Sequence, residues 1–145
     1  MSETVFPLNY VRMQCTIVAN CFIKSAVEGY DSDDFAEQVM TSDYGVMVLT
    51  DHRMIEYSDS NFMFEGFTRE LSLKKGKHYD TDILELAGYI YKYWVSTRQA
   101  DPREVYKLAP IQLFANRYGF YHTQDFDYII NDIIDRPATE TKLTP

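Results

Sequence analysis

The residues best suited to chemistry in this chain are three histidines, two cysteines and a scatter of aspartates. His122 has the most suggestive neighbours, with Thr123, Asp125 and Asp127 close by in sequence. A histidine oriented by a carboxylate could act as a general base. The competing reading is structural, with the ring nitrogens of His122 capping the helix before or after it. No nucleophile accompanies it, and its large aromatic neighbours suit packing, so the structural reading is preferred. His52 with Glu56 has the four-residue spacing of a metal-binding pair, but a single pair is weak, and His52 and His78 read as surface residues. Asp31, Asp33 and Asp34 lack the alternating ligands and closing glutamate of a calcium loop, and helix capping accounts for them. Six glycines stand singly, so no phosphate-cradling loop is present. Cys15 and Cys21 fall on different faces of one predicted helix and read as free buried thiols. These observations predict no catalytic residue, no metal and no cofactor.

Aromatic residues make the better functional candidate. The chain has twelve tyrosines, and Tyr89, Tyr93, Tyr106, Tyr118, Phe120 and Tyr121 exceed what one face of two short helices can bury. Some must reach the surface, where tyrosine beside acidic groups suits a basic, grooved protein partner. The residues expected to contact a partner are Tyr93, Tyr106, Tyr118, Tyr121, His122 and Asp125. Filling of a small helical core by tyrosine is the plain alternative.

Composition narrows the classes further. The chain has 145 residues, 46% of them hydrophobic, enough for one ordinary domain or two very small ones. Its net charge is −8, which disfavours direct binding to nucleic acid. That acidity serves solubility, or a basic partner, or imitation of nucleic acid. Lys74, Lys75 and Lys77 around Gly76 form the nearest thing to a basic cluster and read as a solvated linker. No apolar run approaches the ~20 residues that span a bilayer, and no signal peptide is visible, so a cytoplasmic location is expected.

The elements that must position these residues are helices. Val11, Cys15, Val18, Ala19, Phe22, Ile23 and Ala26 form an apolar stripe in a helix from about Asn9 to Glu28, stopped by Gly29. Ser32 or Asp33 caps a second helix to about Met40, and Asp43 to Gly45 breaks it. Residues 46–57 carry local β character, yet Leu49, Arg53 and Tyr57 step by four, which favours helix over a short hairpin. Ser58 caps the next helix, with Phe62, Phe64, Phe67 and Leu71. Asp80 or Thr81 opens a long helix through Trp94 and Val95. Asp101-Pro102 and Pro110 start two shorter ones. Asp125 opens a last helix whose Ile129, Ile130, Ile133 and Ile134 form an apolar side, ended by Arg136 and Pro137.

The chain also resembles itself. At a spacing of 68, Ala19 falls on Ala87, Lys24 on Lys92, Val27 on Val95 and Asp33 on Asp101. At 64, Leu49 falls on Leu113, Arg53 on Arg117, Tyr57 on Tyr121 and Phe62 on Phe126. The expected architecture is an all-α, compact helical bundle of two related three- to four-helix units. The repeats are 1–73 and 80–136, joined by a linker at 74–79, with a flexible tail at 137–145. An α+β fold with a hairpin near 46–57 is the alternative.

The stretch from Tyr118 to Ile133 holds His122-Thr123, then Tyr128-Ile129 and Asp132-Ile133. It resembles the hallmark of a family of short bacterial helical proteins known only as a domain of unknown function. The likeness covers about Ile83 to Asp135. The first half departs from it, with Tyr57-Ser58 in place of His-Thr. The resemblance implies a small all-helical unit of bacterial or phage origin, encoded beside ADP-ribosyltransferase-like proteins in toxin–antitoxin fashion. Three readings follow: a non-catalytic protein-binding module, antitoxin-like or inhibitor-like; an acidic mimic of nucleic acid that inhibits a nuclease; and a small enzyme using His122. The expected partner is another protein, an ADP-ribosyltransferase-like toxin or a nuclease, and a homodimer is also open.

Overall fold

The computed structural model describes residues 8–51 and 59–138. Among them the chain is all-α, in eight helices. They are α1 (Leu8–Val27), α2 (Ser32–Thr41), α3 (Asp43–Thr50), α4 (Ser60–Glu70), α5 (Thr81–Arg98), α6 (Pro102–Leu108), α7 (Ile111–Tyr121) and α8 (Phe126–Asp135). Val46 to Thr50 belongs to α3, so no hairpin begins there. The remainder of the expected helix, with His52, Arg53, Glu56 and Tyr57, and the expected cap Ser58 lie outside the described residues; α4 is capped by Asp59, which accepts from the Phe62 amide at 2.8 Å.

Helix ends follow short polar side chains, with two shifts from expectation. Asp31 caps α2, accepting from the Asp34 amide at 2.9 Å, one residue before the expected Ser32. Ser42 ends α2 and caps α3 through Gly45, so Asp43 to Gly45 forms a first turn instead of a break. Gly45 is required there, because any Cβ would collide with the Val39 carbonyl. Gly29 stops α1 with φ of 85°, a left-handed conformation that suits a residue without a Cβ.

The two long helices form the centre. α1 lies against α5 along most of its length, with Gly88 letting α5 approach Ala19 and Phe22. Phe22 meets Phe35 edge-on at 5.1 Å and Tyr91 at 5.9 Å, tying α2 to that centre. Around this axis α2 packs on α6, α2 on α7, and α3 on α6. The contact of α2 with α7 is matched by that of α3 with α6, and α3 also touches α5.

Positions 71–80 do more than link the halves. The Asp31 amide donates to the Lys74 carbonyl, the Ser32 amide to the Lys77 carbonyl and the Gly76 amide to the Gly29 carbonyl. The Lys75 ammonium reaches the Glu28 carbonyl at 2.7 Å and lies 4.3 Å from the Tyr30 ring centre. The basic segment expected as a solvated linker is therefore strapped across the α1–α2 corner.

Burial also corrects the spacing between the halves. Val27 is 71% exposed while Val95 is 4% exposed, and Lys24 is half-exposed while Lys92 is buried. Those identities do not occupy like environments. The buried faces of α1 and α5 coincide at a spacing of 69, pairing Cys15 with Leu84, Val18 with Ala87, Phe22 with Tyr91 and Ala26 with Val95. Capping aspartates place α2 and α6 at 70 (Asp31, Asp101), and α4 and α8 at 66 (Asp59, Asp125).

Candidate functional site

The corner between α7 and α8 holds most of the residues singled out in the sequence. Its inner side is a polar clamp. The buried Tyr121 phenol donates to the Asp132 carboxylate at 2.6 Å and accepts from the Arg117 guanidinium at 2.9 Å. Arg136 closes on the same carboxylate at 2.7 Å. The hydrogen bond from Arg136 holds the Asp132 carboxyl below its usual range. Burial, with the Asp132 bond, pushes the Tyr121 phenol up to about 12. Each polar atom at this junction has a partner, which is what burial demands. Tyr121, expected as a partner contact, is instead a core residue that fixes the angle between the two helices.

The outer side of the corner is aromatic. His122 ends α7 and donates from Nδ1 to the Tyr118 carbonyl at 2.8 Å. Its ring stacks on Tyr118 at 5.0 Å and 11°. This is the capping role expected of it, at an exposed position. Asp127 bonds the Tyr93 phenol and Arg98 instead of His122. Phe120 and Tyr128 are each 46% exposed and meet edge-on at 5.9 Å. Asp82 and Glu85 of α5 approach Tyr118 closely enough to add to the rise of its phenol, after desolvation. The result is two outer ring pairs, Phe120 with Tyr128 on one side of α7 and Tyr118 with His122 on the other, the latter edged by Asp82 and Glu85.

The other expected contacts lie apart. Tyr93 is buried and packs on Phe126 at 5.4 Å. It shares a hollow of about 330 Å³ with Arg12, Asp125 and Asp127. Asp125 makes no capping bond with its side chain, unlike Asp31, Asp59 and Asp101. Tyr106 is half-buried beside Tyr91, and burial pushes its phenol upward. It lines a larger hollow of about 540 Å³ between α2 and α7, with Asp33, Glu37, Gln112, Asn116 and Arg117. Sequence reading missed that hollow. Its signal was present in the four-residue spacing of Asp33 with Glu37 and of Gln112 with Asn116, which puts each pair on one helical face.

Both cysteines are buried free thiols, and burial raises them, Cys15 to about 12. Among the described residues, no three His, Cys, Asp or Glu side chains gather closely enough to hold a metal. No helix among them is long and apolar enough to cross a membrane.

No family model matches the chain, and neither a curated protein nor a solved structure matches it. The likeness of the Tyr118–Ile133 stretch to the short bacterial family therefore rests on its motif residues.

Proposed function

We propose that this chain is a non-catalytic protein-binding module, an antitoxin-like or inhibitor-like partner of another bacterial or phage protein in the cytoplasm. One observation carries the reading. Two separate ring pairs stand at the α7–α8 corner, Phe120 with Tyr128 half in solvent and Tyr118 stacked on His122, on a scaffold held by the Tyr121–Asp132 bond. Large aromatics on a rigid support are the usual anchors of an interface. Outer ring pairs of this kind mark an interaction site more strongly than single exposed apolar residues do. The acidic edge and the net charge of −8 favour a basic partner surface. An ADP-ribosyltransferase-like toxin is the partner that the motif resemblance implies, and a nuclease is the alternative.

The mimicry of nucleic acid finds less support. Many aspartates are engaged locally: Asp31, Asp59 and Asp101 cap helices, Asp43 pairs with Arg103, and Asp132 pairs with Arg136. They do not present a free array. Catalysis by His122 finds no support in the geometry either, since its Nδ1 serves a backbone carbonyl and, among the described residues, no carboxylate bonds the ring.

The test is affinity capture from the native host with the full chain, compared with Phe120→Ala, Tyr118→Ala and the distant Lys74→Ala. One protein should be retained at moderate salt by wild type and by Lys74→Ala, and lost with both aromatic variants at unchanged melting temperature. Retention that ignores Phe120 and Tyr118, or no retention at all, would count against the reading.

A further inference from the structure

The outward residues of α7 run in one line. Gln112, Asn116 and Phe120 step by four and are all exposed. The first two line the 540 Å³ hollow, and the third meets Tyr128 in the outer ring pair. Eight residues of helix separate the ends, or about 12 Å.

The hollow has the character of a cation seat. Asp33 and Glu37 stand on the same face of α2 and line one wall. Glu37 enters none of the ion pairs among the described residues, and Asp33 receives only the Tyr79 phenol, at 3.1 Å. The cation in the opposite wall, Arg117, is already turned to Asp132 and Tyr121. Tyr106, Pro110 and Leu113 supply apolar and aromatic surface, and α7 adds the amides of Gln112 and Asn116. Two carboxylates over an aromatic wall suit a guanidinium or ammonium group.

We propose that α7 is a two-point docking stripe: it seats a cationic side chain of the partner between α2 and α7, and an apolar side chain of the same partner on Phe120 and Tyr128, up to about 12 Å further along the helix. This rests on the protein-binding reading and adds the chemistry of the partner. The occupant is a basic segment of a protein carrying Arg or Lys and a large apolar residue at that separation. A free organic cation shares half of this chemistry, and the test separates the two.

Agmatine serves as the probe of the cation seat alone. Two alanine-based helical peptides serve as probes of the stripe, one with Arg and Leu eight residues apart and one with them three apart. Binding is followed by amide shifts in the full chain. Agmatine should move Leu113, Asn116 and their neighbours, and Glu37→Gln should weaken it at least ten-fold. The eight-spaced peptide should bind at least ten-fold tighter than agmatine or the three-spaced peptide. Phe120→Ala should remove that gain and leave agmatine binding as it was. Shifts spread over all acidic faces, or unaffected by Glu37→Gln, would overturn the seat. Equal affinity of both peptides and agmatine would overturn the stripe and leave a site for a free cation. Partner capture that needs Phe120 but ignores Glu37 would also overturn this proposal while the protein-binding reading stands. Capture that needs neither would remove that reading itself.

Discussion

The last helix of each half, α4 and α8, starts alike and ends differently. Each opens at an aspartate, Asp59 or Asp125, and each buries residues four, five and eight positions beyond it. In α4 these are Met63, Phe64 and Phe67. In α8 they are Ile129, Ile130 and Ile133. The first half thus places aromatic rings inside, where Phe67 meets Phe35 and Tyr44 edge-on. The second half fills the same positions with branched aliphatic chains and leaves Phe120 and Tyr128 outside. At the spacing of 66 the 59% exposed Phe62 of α4 corresponds to Tyr128, so each of the two helices carries one outer ring. Among the described residues, the two last helices therefore differ in what fills the core, aromatic in α4 and branched aliphatic in α8, and in the Phe120 ring that joins the outer position of Tyr128. Function, on this reading, lies in what the second half does not bury.

The comparison breaks most readily in the core. Phe67→Ala should cost about 3–5 kcal/mol by loss of buried surface and creation of a cavity. Ile133→Ala should cost about 2–5 kcal/mol for the same reason. Urea unfolding of both variants measures this. A loss under about 1 kcal/mol for Phe67→Ala would show that α4 is not the packed counterpart of α8.

The long helices offer the next contrast. Lys24 in α1 is half-exposed beside Glu28, while Lys92 in α5 is buried with its ammonium on the Leu49 carbonyl at 2.7 Å. Burial lowers Lys92 to about 8, against the opposing pull of Cys15 and Asp51. The unfolded chain binds this proton up to the ordinary value of 10.5, so the unfolded state holds more protons between pH 8 and 10.5. The Lys92 contribution to stability is thus constant and least favourable below pH 8, and it rises as pH climbs through that window. The two buried thiols act in the opposite sense above pH 9, since burial raises them. The Lys92 share is therefore read as a difference. The stability of Lys92→Met relative to wild type should fall by about 2 kcal/mol between pH 8 and 9.5. Lys24→Met should show no such drift. A flat difference for Lys92→Met would mean that its ammonium is solvated.

Much of this fold was legible in the chain because helix signals are local. Asp101-Pro102, Gly29 and the isoleucines of α8 each mark an element through their immediate neighbours. The register between the halves was not, because burial and not identity decides which positions correspond. Val27 and Val95 match as letters and differ completely in surroundings. At the candidate site, His122 was readable as a cap, since its bond to Tyr118 lies within one turn. The core role of Tyr121 was hidden, because Asp132 and Arg136 reach it only after α8 folds back. The hollow between α2 and α7 was hidden for a stronger reason: its walls are some eighty residues apart in sequence, and only packing brings them together.

The clamp behind the outer ring pairs separates scaffold from surface. Tyr121→Phe keeps the buried ring and removes the phenol that joins Arg117 to Asp132. It should cost about 1.5–3 kcal/mol, the range for a hydrogen bond to a charged group. Melting temperature and partner capture should fall together, and Tyr121→Phe with unchanged stability would show that the clamp does not hold the corner.

The smallest effect is the most discriminating. Phe120 and Tyr128 are each about half in solvent, meeting each other at 5.9 Å with Phe120 also at the rim of Tyr121, so they add little to the folded state. Phe120→Ala, or Tyr128→Ala, should change stability by less than about 0.5 kcal/mol, as surface substitutions do. Neither helix needs the ring, because α7 is anchored by Ile111, Leu113, Phe114 and Tyr121, and α8 by its three buried isoleucines. A folded protein thus gains almost nothing from an aromatic pair in this position, and a polar pair would be more soluble. Side chains that the fold does not require, held on helices that it does, are best accounted for by a second molecule. Denaturation of the two variants decides the point. A loss of more than about 1 kcal/mol would make the pair part of the core, and the contrast between the halves would then be one of packing style alone.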